Sequence, residues 1–460
     1  LATRDEIMDA ARAAGVVDAD DGMPTHAKLE RSVEVVIANG CDREPLVYNA
    51  SHLLVHHAGE VIDGLRLAMQ ACGAARGVLA FLADSPQVDS AVGCAIAEPG
   101  IEIFRAPRFY PVADESILTY EATGRLVPSF GTPESVGVLV INVETLFNLS
   151  QAMRGIPVTQ RTVTVSGEVA RPRVVRLPIG ARAADAIRQA DGPAIERYRI
   201  LMGGPVLGSL ADDACEPISK STTAIVVLPV HHIQVQKRAR SLSMMLLRAR
   251  NACFQCQECT DSCPRYLAGQ QLEPHTVMRA ISHSMDNLNK SITLALNCNG
   301  CGVCDSYVCR MGISPRLICH EIKAHLAAMG WQRTGDVPPP VLKESYAARH
   351  VWLDDLAARL GVTKYIRAID LPSLLQTSAD ADPIPVPSLA VSLLQHVGAP
   401  ALATVGVGQS VDVGQLIGEI PEGKLGARVH AGAVGTVGSV CDCSIEINGI
   451  PNLVTNTAGS

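Results

Sequence analysis

Eight cysteines in two tight runs constrain this chain more than any other feature. Cys253, Cys256, Cys259 and Cys263 form a C-x2-C-x2-C-x3-C string followed by Pro264, and Cys298, Cys301, Cys304 and Cys309 form a second run. The first string is the ligand pattern of a bacterial-type [4Fe-4S] site, in which three closely spaced thiolates cap one face of a cubane and the distant fourth cysteine serves the other cluster. Crossed wiring is therefore expected: Cys253, Cys256, Cys259 and Cys309 on one cluster, Cys298, Cys301, Cys304 and Cys263 on the other. The second run places four residues, not three, between its last two cysteines and continues with Arg310 instead of proline. A loop is expected to absorb the extra residue. Zinc prefers paired C-x2-C ligands, and a triplet would leave it a redundant thiolate. Disulfides fit less well still, because charges at Arg4, Asp5, Glu6, Asp9 and Arg12 interrupt any signal-peptide core and imply a reducing, cytoplasmic compartment. The remaining cysteines, Cys41, Cys72, Cys94, Cys215, Cys319, Cys441 and Cys443, are scattered and read as small buried thiols.

The chain has 460 residues, 47% hydrophobic and 18% charged, enough for three or four domains with ordinary cores. Its net charge is -7 and it has no long basic run. A dedicated nucleic-acid binder needs clustered Lys and Arg to neutralise phosphates, so the expected partners are small molecules or proteins. The most apolar stretches, 136–143 and 223–229, fall far short of the roughly 20 residues that span a bilayer.

Patterning divides the chain into an α/β and α+β multidomain protein. Residues 1–157 alternate helical periodicity (6–14, 60–71) with short buried strands (32–38, 77–82), as in an α/β domain with a largely parallel sheet. Residues 158–235 are β-rich, with a short helix at 183–189 and a turn at Gly203-Gly204-Pro205, and predict a small β-grasp module. Residues 236–332 are helical (242–250, 272–287), with the cysteine runs in loops between helices, and predict an α-helical two-cluster ferredoxin domain. Residues 333–390 read as a linker with a short helix at 352–360. Residues 391–450 alternate Val or Ile with Gly and predict a barrel-sandwich-like β module.

Several segments carry a family resemblance. Pro24-Thr25-His26-Ala27-Lys28-Leu29, Asn39-Gly40-Cys41-Asp42-Arg43-Glu44-Pro45-Leu46, Tyr110-Pro111-Val112-Ala113-Asp114-Glu115 and Asn142-Val143-Glu144-Thr145-Leu146 resemble the flavin-site segments of the complex I flavoprotein and of the RnfC family. The segment 163–169 and the Gly-Gly-Pro turn resemble the soluble-ligand-binding β-grasp module that follows in both. With the barrel-like module at the C-terminal end, after His396-Val397-Gly398-Ala399-Pro400, the order of parts is similar to the cobalamin reductase family of propanediol-utilisation bacterial microcompartments.

That resemblance implies FMN held near Lys28, Asn39, Glu44 and Asn142, with Glu115 as a nicotinamide-ribose partner, NADH as electron donor and two [4Fe-4S] clusters. It implies cobalamin or another one-electron acceptor, and microcompartment partners such as shell proteins or a cobalamin adenosyltransferase. Where the family carries a glycine-rich phosphate loop, this chain has Asp18-Ala19-Asp20-Asp21-Gly22, whose carboxylates repel a phosphate and offer no nest of amides. A flavin-free electron conduit, a structural adaptor and an NADH-recycling protein of a cobalamin-independent microcompartment are the alternatives. Taken alone, Glu44 and Glu115 read as solvated carboxylates, Lys28 as a snorkelling side chain and His26 as a structural histidine. The doublets His56-His57 and His231-His232 read as strand residues pointing apart. Lys424 lacks the flanking residues of a modified carrier lysine.

Overall fold

Near-continuous aliphatic runs build a sheet buried on both faces. In the computed structural model, which describes residues 2–96, 100–282, 288–331, 336–379 and 385–449, the strands lie in the order Ile101–Ala106, Arg76–Leu82, Val35–Asn39, Val138–Asn142. All three pairings are parallel. The Asn49–Cys72 helix packs across Val143–Met153, and Gly64 permits the approach: a Cβ there would lie 2.0 Å from the Leu146 carbonyl oxygen. Chain order reverses between Val35–Asn39 and Val138–Asn142. Open α/β sheets bind ligands in the crevice outside the carboxyl ends of strands at such a switch point. Asn39 and Asn142 are the paired residues at those two ends.

The β-rich region forms a five-stranded sheet ordered Arg173–Pro178, Gln160–Gly167, Ala224–Pro229, Tyr198–Met202, Ser209–Leu210. Its central pair is parallel and its other pairings antiparallel, with the Ala183–Gln189 helix as expected. The cysteine-bearing region contains the helices Leu242–Ala252, Pro274–Ser282 and Pro315–Ala328 and several shorter ones. The end of the expected helix, 283–287, lies outside the described residues. Two features correct the expectation that the cysteines occupy loops. Cys259 sits in the short helix Glu258–Asp261, and Cys304 in a π-helix over Val303–Val308.

Residues 336–379 pack closely against the other parts and do not span them as a free linker. Val351–Trp352 pairs antiparallel with Phe109–Tyr110. Leu356 and Leu360 share a core with Leu228 of the β-grasp sheet and with Val303. The Leu371–Gln376 helix lies on Asn49–Cys72, where the His56 ring nitrogen is 2.9 Å from the Leu375 carbonyl oxygen. The histidine doublets are therefore not strand residues. His56 and His57 lie on a helix that kinks at His57 (φ −136°), and His232 caps the helix Ile233–Arg238. At the C-terminal end, sheets ordered Ser388–Ser392, Ser444–Asn448, Gly435–Val440, Ser410–Val411 and Leu402–Ala403, Leu416–Glu419, Val429–His430 form the expected β module.

Candidate iron–sulfur and flavin sites

The first cysteine run wraps because two non-glycine residues between its ligands take left-handed backbone, Gln255 (φ 57°) and Gln257 (φ 64°). Cys253 closes the Leu242–Ala252 helix, and Cys263 caps the helix that Pro264 begins. In the second run Gly300 (φ 77°) and Gly302 (φ 79°) supply the same curvature. The extra residue before Cys309 is taken up by the π-helix and not by a loop. The Cys309 N–H donates to the Cys304 carbonyl at 3.0 Å, an i→i+5 bond that accommodates one residue more than an α-turn.

Folding sorts the thiols in the crossed pattern. Cys253, Cys256, Cys259 and Cys309 line one cavity of about 1020 Å³. Cys263, Cys298, Cys301 and Cys304 line a second, much smaller cavity together with Cys319. Burial pushes the Cys263 thiol up to about 12, and burial together with neighbouring cysteines does the same to Cys259. Cys301 and Cys304 are driven well above the ordinary thiol value, again chiefly by burial. A hydrogen bond from Cys319 holds Cys298 down at about 7. The raised thiols of Cys259, Cys263, Cys301 and Cys304 ionise readily only against a cation, and iron coordination supplies one. Two all-sulfur quartets are the donor set of [4Fe-4S] clusters. Cys319, read from sequence as a plain buried thiol, is buried and touches the second quartet; no spacing signal marked it.

The α/β domain meets the second quartet directly. The Tyr110 hydroxyl donates to the Cys301 carbonyl. Asp114 caps the helix Glu115–Thr123 and accepts from Arg265 (3.2 Å) and from the Asn299 amide, flanking Cys263 and Cys298. The motif containing both residues was visible in the sequence, but not this role.

At the switch point, the structure gathers four of the five expected flavin and nicotinamide residues around the acidic loop. Asn39 Nδ2 donates to Asp20 at 2.9 Å, Asn142 Nδ2 donates to Asp20 at 3.0 Å, and Arg43, which sequence reasoning missed, donates to Asp20 at 3.1 Å. Lys28 is 5% exposed and does not snorkel; its Nζ lies 3.4 Å from Asp18, 2.8 Å from Asp21 and 3.1 Å from Glu115. Those carboxylates hold Lys28 charged, well above its ordinary value, despite burial. Burial pushes Glu115 up to about 8. Glu44 stands apart. Its buried carboxylate accepts from the amides of Val206 and of Leu207 (3.1 Å), clamping the Gly-Gly-Pro turn of the β-grasp module. A Cβ at Gly204 would lie 2.1 Å from that carboxyl carbon.

Two amides, a guanidinium and an ammonium make a donor set suited to an anionic, carbonyl-rich ligand such as FMN, and these donors are engaged by the chain's own carboxylates, Asp20 for the amides and the guanidinium and Asp18, Asp21 and Glu115 for the ammonium. Of the other cysteines, Cys41 and Cys72 are buried as expected, whereas Cys94, Cys215, Cys441 and Cys443 are exposed. Among the described residues no helix is long and apolar enough to cross a membrane.

Comparison with known proteins finds four domain families along the chain. Residues 11–151 match the Nuo51 FMN-binding domain, 162–209 the SLBB domain, 252–314 a 4Fe-4S dicluster domain and 377–454 the RnfC barrel sandwich hybrid domain. The chain is 35% identical to cobalamin reductase PduS of Salmonella typhimurium over 445 residues, covering 96% of each protein. It is 35% identical to cobalamin reductase PduS of Citrobacter freundii, again covering 96% of each. A component of the proton-translocating ferredoxin:NAD(+) oxidoreductase complex of Clostridium ljungdahlii is 29% identical over 269 residues, 57% of this chain and 56% of that protein.

Proposed function

The chain belongs to the cobalamin reductase PduS family, and on that premise we propose that this iron–sulfur flavoprotein oxidoreductase takes electrons from NADH and delivers them singly to the cobalt of cob(III)alamin or cob(II)alamin in a bacterial microcompartment. FMN supplies hydride acceptance when bound and the clusters supply one-electron steps, which together convert hydride chemistry into single-electron chemistry.

The observation that carries this reading is the order of the sites through the molecule. Tyr110 and Asp114 tie the second thiol quartet to the flavin domain, so the Cys263, Cys298, Cys301 and Cys304 site would sit next to the donor side. The first quartet opens instead into the large cavity, with Phe254, Tyr307, Arg310, Arg349, His350 and Arg359 around it. Phe254 is 71% exposed, an apolar platform beside the first thiols for a bulky acceptor. Asn39, Asn142, Arg43 and Lys28 would hold the flavin once the acidic loop yields, and Glu115 would meet the nicotinamide ribose.

The test is anaerobic protein with assayed iron, sulfide and FMN, mixed with NADH and hydroxocobalamin and followed by cobalamin absorbance. Reduction of cobalamin that depends on NADH and is lost in Cys256→Ala is expected. NADH oxidation with artificial acceptors but without cobalamin reduction would overturn the acceptor. Iron and sulfide with neither FMN nor NADH oxidation would leave an electron conduit in place of a dehydrogenase.

A further inference from the structure

The C-terminal β module carries a feature that electron transfer through clusters does not use. Strands Gly435–Val440 and Ser444–Asn448 pair antiparallel and are joined by Cys441-Asp442-Cys443. Both thiols are exposed, and their sulfurs lie 3.1 Å apart. That separation is inside non-bonded contact and about 1 Å beyond a disulfide bond of about 2.04 Å. The turn is held independently of the sulfurs: Cys441 N–H donates to the Ser444 carbonyl at 2.9 Å, and Leu393 N–H donates to the Cys443 carbonyl at 2.8 Å. Ile445 and Ile447, the next inward-facing residues, are fully buried and fix the strand below. Bringing the sulfurs together therefore costs little ordering.

We propose that Cys441 and Cys443 form a dithiol–disulfide exchange site that reacts with low-molecular-weight disulfides of the glutathione type. Cys441 is the attacking sulfur. Its Sγ lies 3.2 Å from the Ser444 hydroxyl, which can donate to the thiolate. Hydrogen bonds from Ser444 and Cys443 hold its thiol down at about 7, so much of it is thiolate at neutral pH, close to the optimum for an attacking thiol. The Cys441 thiolate attacks one sulfur of the disulfide, forming a mixed disulfide and releasing one thiolate. Cys443 then loses its proton and attacks the Cys441 sulfur, forming the intramolecular bond and releasing the second thiolate. The dithiol is oxidised by two electrons and the small disulfide is reduced to two thiols. An exposed bridge across a single intervening residue belongs to the labile class of disulfides and not the structural class.

The experiment uses the full-length protein with its clusters, equilibrated anaerobically in reduced and oxidised glutathione mixtures, acid-quenched, alkylated and analysed by peptide mass spectrometry. The expected result is one two-electron transition in the peptide spanning 435–449, with both cysteines protected together. Cys443→Ser should accumulate the glutathione adduct at Cys441 at least about tenfold over wild type, because the resolving thiol is gone. That variant should keep the wild-type iron and sulfide content, since Cys443 lines neither thiol quartet. Independent glutathione adducts on both cysteines of the wild type, or thiols that persist in fully oxidised glutathione, would overturn the proposal.

Discussion

Asp20 is a buried carboxylate held by Asn39, Asn142 and Arg43, and its position decides what else those donors reach. Burial raises its pKa and that of Asp21, against the pull of Arg43 on Asp20 and of Lys28 on both. Replacing Asp18, Asp20 and Asp21 together by glycine removes the carboxylates that engage these donors and leaves Lys28 with Glu115 as its carboxylate partner. FMN titration by fluorescence quenching is expected to show tightening of roughly tenfold or more, given about 1.5–3 kcal/mol for hydrogen bonds to a charged group. Asp20→Asn, which keeps the shape and drops the charge, should move affinity the same way by less. No change in either variant would mean that the loop does not compete with the flavin. Glu115 supplies a pH signature. Burial lifts it from about 4.5 to about 8 against the pull of Lys28, with Asp21 and Asp18 adding repulsion. The folded state therefore binds more protons than the unfolded state across that window, and stability falls as pH rises through it. Thermal melting temperature is expected to decline from about pH 5 to pH 8 more steeply in wild type than in Glu115→Gln; parallel profiles would remove Glu115 as the titrating group.

At the scale of elements, the π-helix over Val303–Val308 and the turns at Gln255 and Gln257 aim thiols from two separate runs into shared sites. Cys263 belongs in sequence to the first run and in space to the second quartet. Cys263→Ala should therefore alter the electron paramagnetic resonance of the cluster served by Cys298, Cys301 and Cys304, whereas Cys256→Ala should alter the other. An unchanged second-run signal in Cys263→Ala would show that the wiring is not crossed. The π-turn matters because an α-turn over the same residues would leave Cys309 about 100° out of phase with the first quartet.

Across the whole molecule, the large core joins the α/β sheet, the β-grasp sheet and the C-terminal module. The helical region has a separate small core built on Met245, Ala249, Leu272, Val277 and Ile318, to which Cys263 and Cys298 themselves belong. A core that includes metal ligands depends on the metal, because ligand binding free energy is then part of folding free energy. Anaerobic iron chelation is expected to lower helical circular dichroism and produce an early melting transition, while the sheet-based core melts at its original temperature. A single unshifted transition after complete iron loss would show that the helical region stands without its clusters.

The sequence by itself determined the local chemistry and the kinds of domain. Cysteine spacing named the cluster type, apolar runs of strand length located the strands at 35–39 and 76–82 though not Ile101–Ala106, and the helix at 183–189 was legible to the residue because those signals are carried by near neighbours in the chain. It did not disclose that Asp20 joins Asn39, Asn142 and Arg43 at the switch point, that Glu44 clamps the Gly-Gly-Pro turn, or that residues 336–379 strap the domains together, nor did Lys28 announce three carboxylate partners. Each of these depends on groups far apart in sequence, such as Asp20 with Asn142 and Glu44 with Val206, and their burial follows from packing that no periodicity records. Cys441 and Cys443 show both sides. Their spacing is written in the chain, but their exposure and the distance between their sulfurs were set only when the hairpin folded onto its module.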